Sequence, residues 1–180
     1  MTSGPIQKQP SQRRTLVLAG LGVAASAGAA SIWPWTGSKA YPQGDPMSVD
    51  LSDLPEGKLL TVNWQDRPVW VLRRSESDLA LLTQKDHLLT DVSSQESVQP
   101  PACRNPQRSL TPEVFVAIAL CTHRGCTPYH MAGKGFMCPC HASQFDLAGR
   151  VFDDGPAPAN LVIPAYHFAA PNQLVLGEDA

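Results

Sequence analysis

The chain has 180 residues and a formal charge of −2, and charged residues make up 17% of it. This fraction lies below the ~25% of ordinary soluble domains, which excludes a disordered polyelectrolyte. The near-neutral balance also gives nucleic-acid binding no electrostatic support. Four of the five cysteines fall between positions 121 and 140, and this clustering indicates a metal site, a disulfide or both.

The N-terminal segment has the pattern of an export signal and a membrane anchor. Arg13 and Arg14 directly precede an uncharged run, as in twin-arginine signals. As a helix, residues 15–35 would be about 30 Å long, which is one hydrocarbon thickness. We therefore predict a cytoplasmic tail over 1–14, a single-pass transmembrane anchor over 15–35, and a periplasmic head at the bacterial inner membrane. A cleaved signal is the alternative, because Ala27-Gly28-Ala29 resembles a cleavage site.

A linker and a small β domain follow the predicted anchor. Residues 36–48 contain two glycines and two prolines, which predicts a flexible hinge. Residues 49–180 then show short apolar runs typical of strands. Strands are predicted at Lys58–Trp64, Val69–Arg73, Val114–Leu120, Leu161–Ile163, Tyr166–Phe168 and Leu174–Leu176, with a turn at Gln65–Pro68 and a short helix at Glu76–Thr83.

Two short motifs carry candidate metal ligands. The first contains Cys121 and His123, and the second contains Cys138 and His141. Two thiolates and two imidazoles bind either one zinc ion or a two-iron cluster with cysteine on one iron and histidine on the other. The spacing alone leaves both metals open.

A second pair of cysteines lies in the same two motifs. Cys126 and Cys140 each stand close to a candidate ligand, one in each motif. In an exported domain they are well placed to form a disulfide that joins the two segments, which a zinc finger would not usually need. Cys103 has no evident partner and is predicted to be a free thiol.

The paired motifs Cys-Thr-His-x-Gly-Cys and Cys-Pro-Cys-His-x-Ser resemble those of the Rieske iron–sulfur subunits of bacterial cytochrome bc1 complexes. The similarity extends to the anchor, the hinge and the segment Gly155–Pro158. It implies an N-terminal transmembrane helix followed by a small all-β Rieske domain. That domain would have an antiparallel β-sandwich base and an inserted cluster-binding subdomain at about 119–158.

The resemblance also implies a function. A [2Fe–2S] cluster would be held by Cys121 and Cys138 on the buried iron and by His123 and His141 on the outer one. His141 would contact ubiquinol, which supplies an electron and a proton, and the electron would pass to cytochrome c1. The implied partners are the cytochrome b and cytochrome c1 subunits, ubiquinol and membrane lipid, within a dimeric complex.

Residues around the predicted ligands would tune and enclose the cluster. The resemblance implies that Ser143 donates to a cluster sulfur, and that Gly155, Pro156 and Pro158 form a cover. Phe145 and Arg124 depart from the tyrosine and leucine usual in the family. Two alternatives remain at this point: the small Rieske subunit of a soluble periplasmic oxidoreductase such as arsenite oxidase, and a zinc-stabilised binding module.

Overall fold

The structure, a computed structural model, describes residues 40–179. The predicted tail with Arg13 and Arg14, the predicted anchor over 15–35 and the first residues of the predicted hinge lie outside this range. Among the helices of residues 40–179, none has the length and apolar character needed to cross a bilayer.

The described residues form nine strands, one α-helix and two 3₁₀ helices. The strands are β1 (Met47–Asp50), β2 (Leu59–Trp64), β3 (Arg67–Arg73), β4 (Val114–Ile118), β5 (Tyr129–Met131), β6 (Gly135–Met137), β7 (Gln144–Phe145), β8 (Tyr166–Ala170) and β9 (Gln173–Leu176). The helix α1 spans Glu76–Leu81, and the 3₁₀ helices span Asp86–Leu88 and Pro101–Cys103.

The strands form three antiparallel sheets of three strands each, in the orders β1-β9-β8, β2-β3-β4 and β5-β6-β7. The prediction of a small all-β domain with antiparallel sheets is confirmed. The β5-β6-β7 sheet is built from residues that lie between β4 and β8 in the chain. It holds one of the two predicted ligand motifs, because the second motif connects β6 to β7.

The β2-β3-β4 sheet contains much of the core. Val69–Leu72 and Phe115–Ala117 are buried along their whole length, so these strands have no solvent face and read as continuous apolar runs. The β2–β3 turn consists of Gln65 and Asp66 alone, both with positive φ, as a two-residue hairpin requires. The predicted turn was therefore two residues too long, and Pro68 belongs to β3.

Helix α1 begins where the sequence predicts it and ends two residues earlier. Ser75 and Asp78 form a capping box, in which each side chain bonds the other residue's backbone N–H. These bonds satisfy N–H groups at the start of the helix that otherwise lack partners.

One predicted strand is wrong. Leu161–Ile163 is largely buried but belongs to none of the strands in the described range. Its backbone groups bond to loops on both sides: the N–H of Leu161 donates to Gly149 O and that of Ile163 donates to Val98 O. The apolar pattern correctly predicted that this segment is buried. It did not show that the segment pairs as a strand, because a short apolar run is also compatible with other buried backbone.

The predicted hinge also extends too far. Met47 and Ser48 lie in β1, which pairs with β9, and the segment before β1 is bonded to the domain as well. The Gly44 N–H donates to Gly177 O at 2.9 Å, and the Ala165 N–H donates to Pro42 O at 2.8 Å. The linker composition of this stretch gave no sign of these main-chain contacts.

Candidate metal centre

Two six-residue loops with the same backbone pattern carry the predicted ligands. In the first, residues 121–126, the Cys121 N–H donates to Cys126 O and the Gly125 N–H donates to Cys121 O, both at 2.8 Å. In the second, residues 138–143, the N–H of residue 138 donates to the carbonyl of residue 143 and that of residue 142 to the carbonyl of residue 138, at 2.8 and 3.0 Å. The fifth residue of each loop, Gly125 or Ala142, has a positive φ. Each loop thus begins with a cysteine held in the same type of turn.

The two cysteines that begin the loops are close to one another. Cys121 and Cys138 are 3% and 2% exposed, and neither forms a disulfide. Burial raises the pKa of the Cys121 thiol, while hydrogen bonds from the His123 backbone and the Ser143 side chain oppose this. A bound metal would favour the thiolates that burial disfavours.

The two histidines form the outer part of the site. The His123 and His141 ring centroids lie 4.7 Å apart, with the ring planes at 81°. His123 is half-buried, whereas His141 is exposed. Within the described range the two thiols are therefore buried, and the two imidazole rings lie next to each other with one of them facing solvent.

The unsatisfied polar atoms show that these residues fit a metal group. Nδ1 of His123 is buried and has no hydrogen-bond partner within the described range. Buried polar atoms are rarely left unpaired, and an unpaired imidazole nitrogen in a loop that begins with a buried free thiol has the chemistry of a metal ligand. A two-thiolate, two-imidazole set suits zinc or a two-iron cluster, so this geometry does not by itself choose the metal.

A disulfide between Cys126 and Cys140 joins the loops, as predicted. Their sulfurs also lie near that of Cys138, and the three Sγ atoms are within 4.8 Å of one another. This sulfur group is not itself a ligand set, because two of its members are already bonded to each other. The disulfide instead closes one side of the site beside the Cys138 thiol.

The segment Gly155–Ala159, called the cover segment below, is bonded to both loops. The Ala157 N–H donates to Ser143 Oγ at 3.1 Å, and Thr122 Oγ1 donates to Ala159 O at 2.6 Å. A Cβ on Gly155 would come within 2.8 Å of Ser143 Cα, so only glycine permits this approach. Pro156 and Pro158 are exposed on the outer side of the segment.

Thr122 is a site residue that the sequence reasoning did not single out. Its only signal was its position between Cys121 and His123, and a hydroxyl there has many possible partners. Its bond to Ala159 depends on a segment 37 residues away in the chain, which no local pattern specifies.

The two departures from the family pattern occupy different surroundings. Phe145 is fully buried in β7 opposite Phe136 of β6, the strand that leads into Cys138. Arg124 is exposed, beside His123, and makes no salt bridge to any residue in the described range. Phe145 thus adds apolar bulk behind the site, and Arg124 adds an unpaired positive charge at its outer end.

Residues 46–167 match the family described as "Rieske [2Fe-2S] domain". The chain belongs to this family. The Rieske cofactor is a [2Fe–2S] cluster, which selects iron over zinc for the donor set described above. The "Ubiquinol-cytochrome c reductase iron-sulfur subunit" of Allochromatium vinosum is 41% identical, over 93% of this chain and 89% of that protein.

A second relative and a solved structure also align with the chain. The protein of the same name from Bradyrhizobium diazoefficiens is 33% identical, over 98% of this chain and all of that one. A solved structure titled "Hyperthermophilic respiratory Complex III" aligns with a TM-score of 0.48 and 20% identity, over 84% of each chain.

Proposed function

We propose that this chain is the electron-transfer subunit of a cytochrome bc1 complex. It takes one electron, with a proton, from ubiquinol and passes the electron to cytochrome c1. The observation that carries the proposal is the pairing of two buried thiols with an exposed histidine in a Rieske domain. When bound, a [2Fe–2S] cluster ligated in this way accepts and returns one electron at a higher potential than an all-cysteine cluster.

In this proposal the buried and the exposed side chains of the site have different roles. Cys121 and Cys138 supply thiolates in the buried interior, where water has little access. His123 and His141 supply imidazoles towards the surface. Because His141 is exposed, its free ring nitrogen is accessible to the hydroxyl of a quinol and can take up the proton. The disulfide and the cover segment enclose the remaining sides.

The membrane arrangement is part of the proposal. Residues 15–35 would anchor the chain in the bacterial inner membrane, with the tail 1–14 in the cytoplasm and the Rieske head in the periplasm. The disulfide supports an oxidising compartment for the head. The inserted β5-β6-β7 sheet agrees with a cluster-binding subdomain carried on a β base. The partners would be cytochrome b and cytochrome c1 in a dimeric complex.

The alternatives differ in their relation to the membrane and to quinol. A soluble periplasmic oxidoreductase, such as arsenite oxidase, would use the same cluster without a permanent anchor or a quinol pocket. The relatives aligned over nearly the whole chain are named as ubiquinol–cytochrome c reductase subunits, which favours the bc1 assignment. On this assignment the isolated chain carries electrons, and turnover by the proton-translocating quinol:cytochrome c oxidoreductase needs the whole complex.

Low-temperature paramagnetic resonance of reduced membranes tests the proposal. We expect cells expressing the chain to give the signal of a histidine-ligated two-iron cluster in the membrane fraction. The matched Cys121→Ser variant should lack it. An inhibitor of the quinol-oxidation site should change the signal. A signal found only in the soluble fraction and indifferent to the inhibitor would contradict the bc1 assignment.

A further inference from the structure

A buried polar cluster lies behind the cover segment, and no role described so far uses it. Asn160 follows the segment directly and is 1% exposed. Its Nδ2 donates to Asp91 O at 2.9 Å and to Ser94 Oγ at 3.1 Å, and its Oδ1 accepts from the Val151 N–H at 2.8 Å. Both protons of the Asn160 amide therefore have acceptors, which for a fully buried side chain requires two correctly placed protein oxygens.

The groups that hold Asn160 are themselves held in place. Its own N–H donates to Ser97 Oγ at 3.1 Å, and that hydroxyl donates to Asp91 Oδ2 at 2.6 Å. The Asp91 carboxylate also accepts from the backbone N–H groups of Gln95 and Glu96. Residues 91–97 therefore form a loop closed around one carboxylate, and Asn160 is anchored to that loop rather than to solvent.

Asn160 is one residue from the point where the cover segment meets the first ligand loop. Ala159 O accepts from Thr122 Oγ1, between Cys121 and His123. Three residues before Asn160, the Ala157 N–H donates to Ser143 Oγ in the second loop. A residue that holds the end of the cover segment in place therefore also positions the Ala159–Thr122 and Ala157–Ser143 hydrogen bonds.

The contact with Ser143 reaches the sulfur ligands. Ser143 is fully buried, its Oγ accepts from the Ala157 N–H, and its backbone carbonyl accepts from the N–H of the candidate ligand Cys138 at 2.8 Å. The Ser143 hydroxyl accepts from Ala157 and so keeps its own proton available to donate to a sulfur of the centre. Hydrogen bonds to sulfur favour the reduced state of an iron–sulfur centre, so they raise its potential.

We propose that Asn160 is a positioning residue for the metal centre: by anchoring the cover segment to the 91–97 loop, it keeps Ala157 against Ser143 and so holds the Ser143 hydroxyl beside the second ligand loop. The inference rests on the proposed function only in that the site carries a redox cluster. The hydrogen bonds of Asn160 reach none of the four candidate ligands, and it acts through the cover segment.

The test is a double-mutant cycle read by the midpoint potential of the full chain in membranes. Asn160→Leu keeps the branched shape and the number of side-chain heavy atoms and removes every side-chain hydrogen bond, so we expect the potential to shift downward. Ser143→Ala should also lower the potential. The double variant should be no lower than Ser143→Ala alone, because both changes break one connected path. Additive shifts, or no shift in Asn160→Leu, would overturn the proposal.

Asn105→Ala is the matched control. Asn105 also organises a loop through its side chain: Nδ2 donates to Ala102 O and Ser109 O, and Oδ1 accepts from the Gln107 N–H. Among the described residues, none of its side-chain hydrogen bonds reaches the cover segment. We expect Asn105→Ala to lower the stability of the domain without shifting the midpoint potential. A shift as large as that of Asn160→Leu would mean that any loss of stability in this domain lowers the potential, and would contradict a specific role for Asn160.

Two further measurements keep the proposal testable. If Asn160→Leu accumulates without iron, Ser94→Ala removes only one acceptor of Nδ2 and should give a smaller downward shift. Hydrogen exchange of the Ala157 amide needs no cluster. It should accelerate in Asn160→Leu and remain unchanged in Asn105→Ala, and unchanged exchange in both would contradict the anchoring role. A wild-type chain without a redox signal would instead contradict the proposed function.

Discussion

Phe145 gives the most direct test of tuning by a single side chain. It is buried in β7, beside the strand that leads into Cys138, and its ring cannot donate a hydrogen bond. Because donors to sulfur raise the potential, we expect Phe145→Tyr to raise the midpoint of the cluster. Redox titration of the two proteins checks this. An unchanged midpoint, with iron content equal to wild type, would show that the new hydroxyl finds no sulfur.

Cys103 predicts a pH dependence of stability. Burial raises the pKa of its thiol from the ordinary 9.0 to about 11. Between these values the unfolded thiol has lost its proton and the folded one retains it, so the free energy of unfolding falls as pH rises. The slope from one such group is at most about 1.4 kcal/mol per pH unit.

The Cys103→Ala variant isolates this slope. Urea unfolding of the full chain from pH 8.5 to 10.5 should show a shallower decline than in wild type, whatever the change in absolute stability. Burial also raises the pKa of Tyr166, whose hydroxyl accepts from the Leu110 N–H, well above 10, so some decline remains at the highest pH. If stability falls equally steeply with pH in wild type and Cys103→Ala, the decline comes from groups other than Cys103.

At the level of elements, the sequence predicted strands best where the apolar runs were longest. β3 and β4 are buried on both faces, and the sequence predicted both of them. β5, β6 and β7 have two or three residues each and were not predicted, because so short a stretch shows no period. Candidate ligand residues could nonetheless be proposed, since their chemistry lies in residue type and spacing rather than in strand pattern. Thr122 and Asn160 were not, because their partners are distant in the chain.

The disulfide tests how strongly the two ligand loops depend on each other. Cys126 and Cys140 close a loop with a sequence separation of 14, for which the chain-entropy model gives about 3 kcal/mol. We expect Cys126→Ala/Cys140→Ala to assemble a site that loses iron faster to a chelator than wild type does. Iron retention measured over time checks this. Equal loss rates would mean that the cover segment and the backbone turns suffice.

At the scale of the whole described domain, Gly177 secures the segment that precedes β1. Its φ is +102°, and a Cβ there would lie 2.6 Å from Gly44 O and 2.9 Å from Asp45 O. Gly177→Ala should therefore displace this segment, destabilise the domain by more than the roughly 1 kcal/mol of left-handed strain, and speed hydrogen exchange at Gly44.

Gly57→Ala is the control for Gly177→Ala. Gly57 has a φ of +72°, but no heavy atom lies within 4 Å of the position its Cβ would take, so the variant carries backbone strain alone. Equal destabilisation in urea and equal exchange at Gly44 would show that the contacts with residues 44 and 45 contribute nothing.

The strand order β1-β9-β8 has a consequence for how the protein is made. β9 is the middle strand of that sheet, yet every other strand precedes it in the chain. During translation β1 emerges early and has no neighbour until almost all of the domain has left the ribosome, and β8 waits for the same strand. Closure of this sheet therefore has to bring the two ends of the described domain together, and we expect it to be the slowest pairing to form because it is the most distant in sequence.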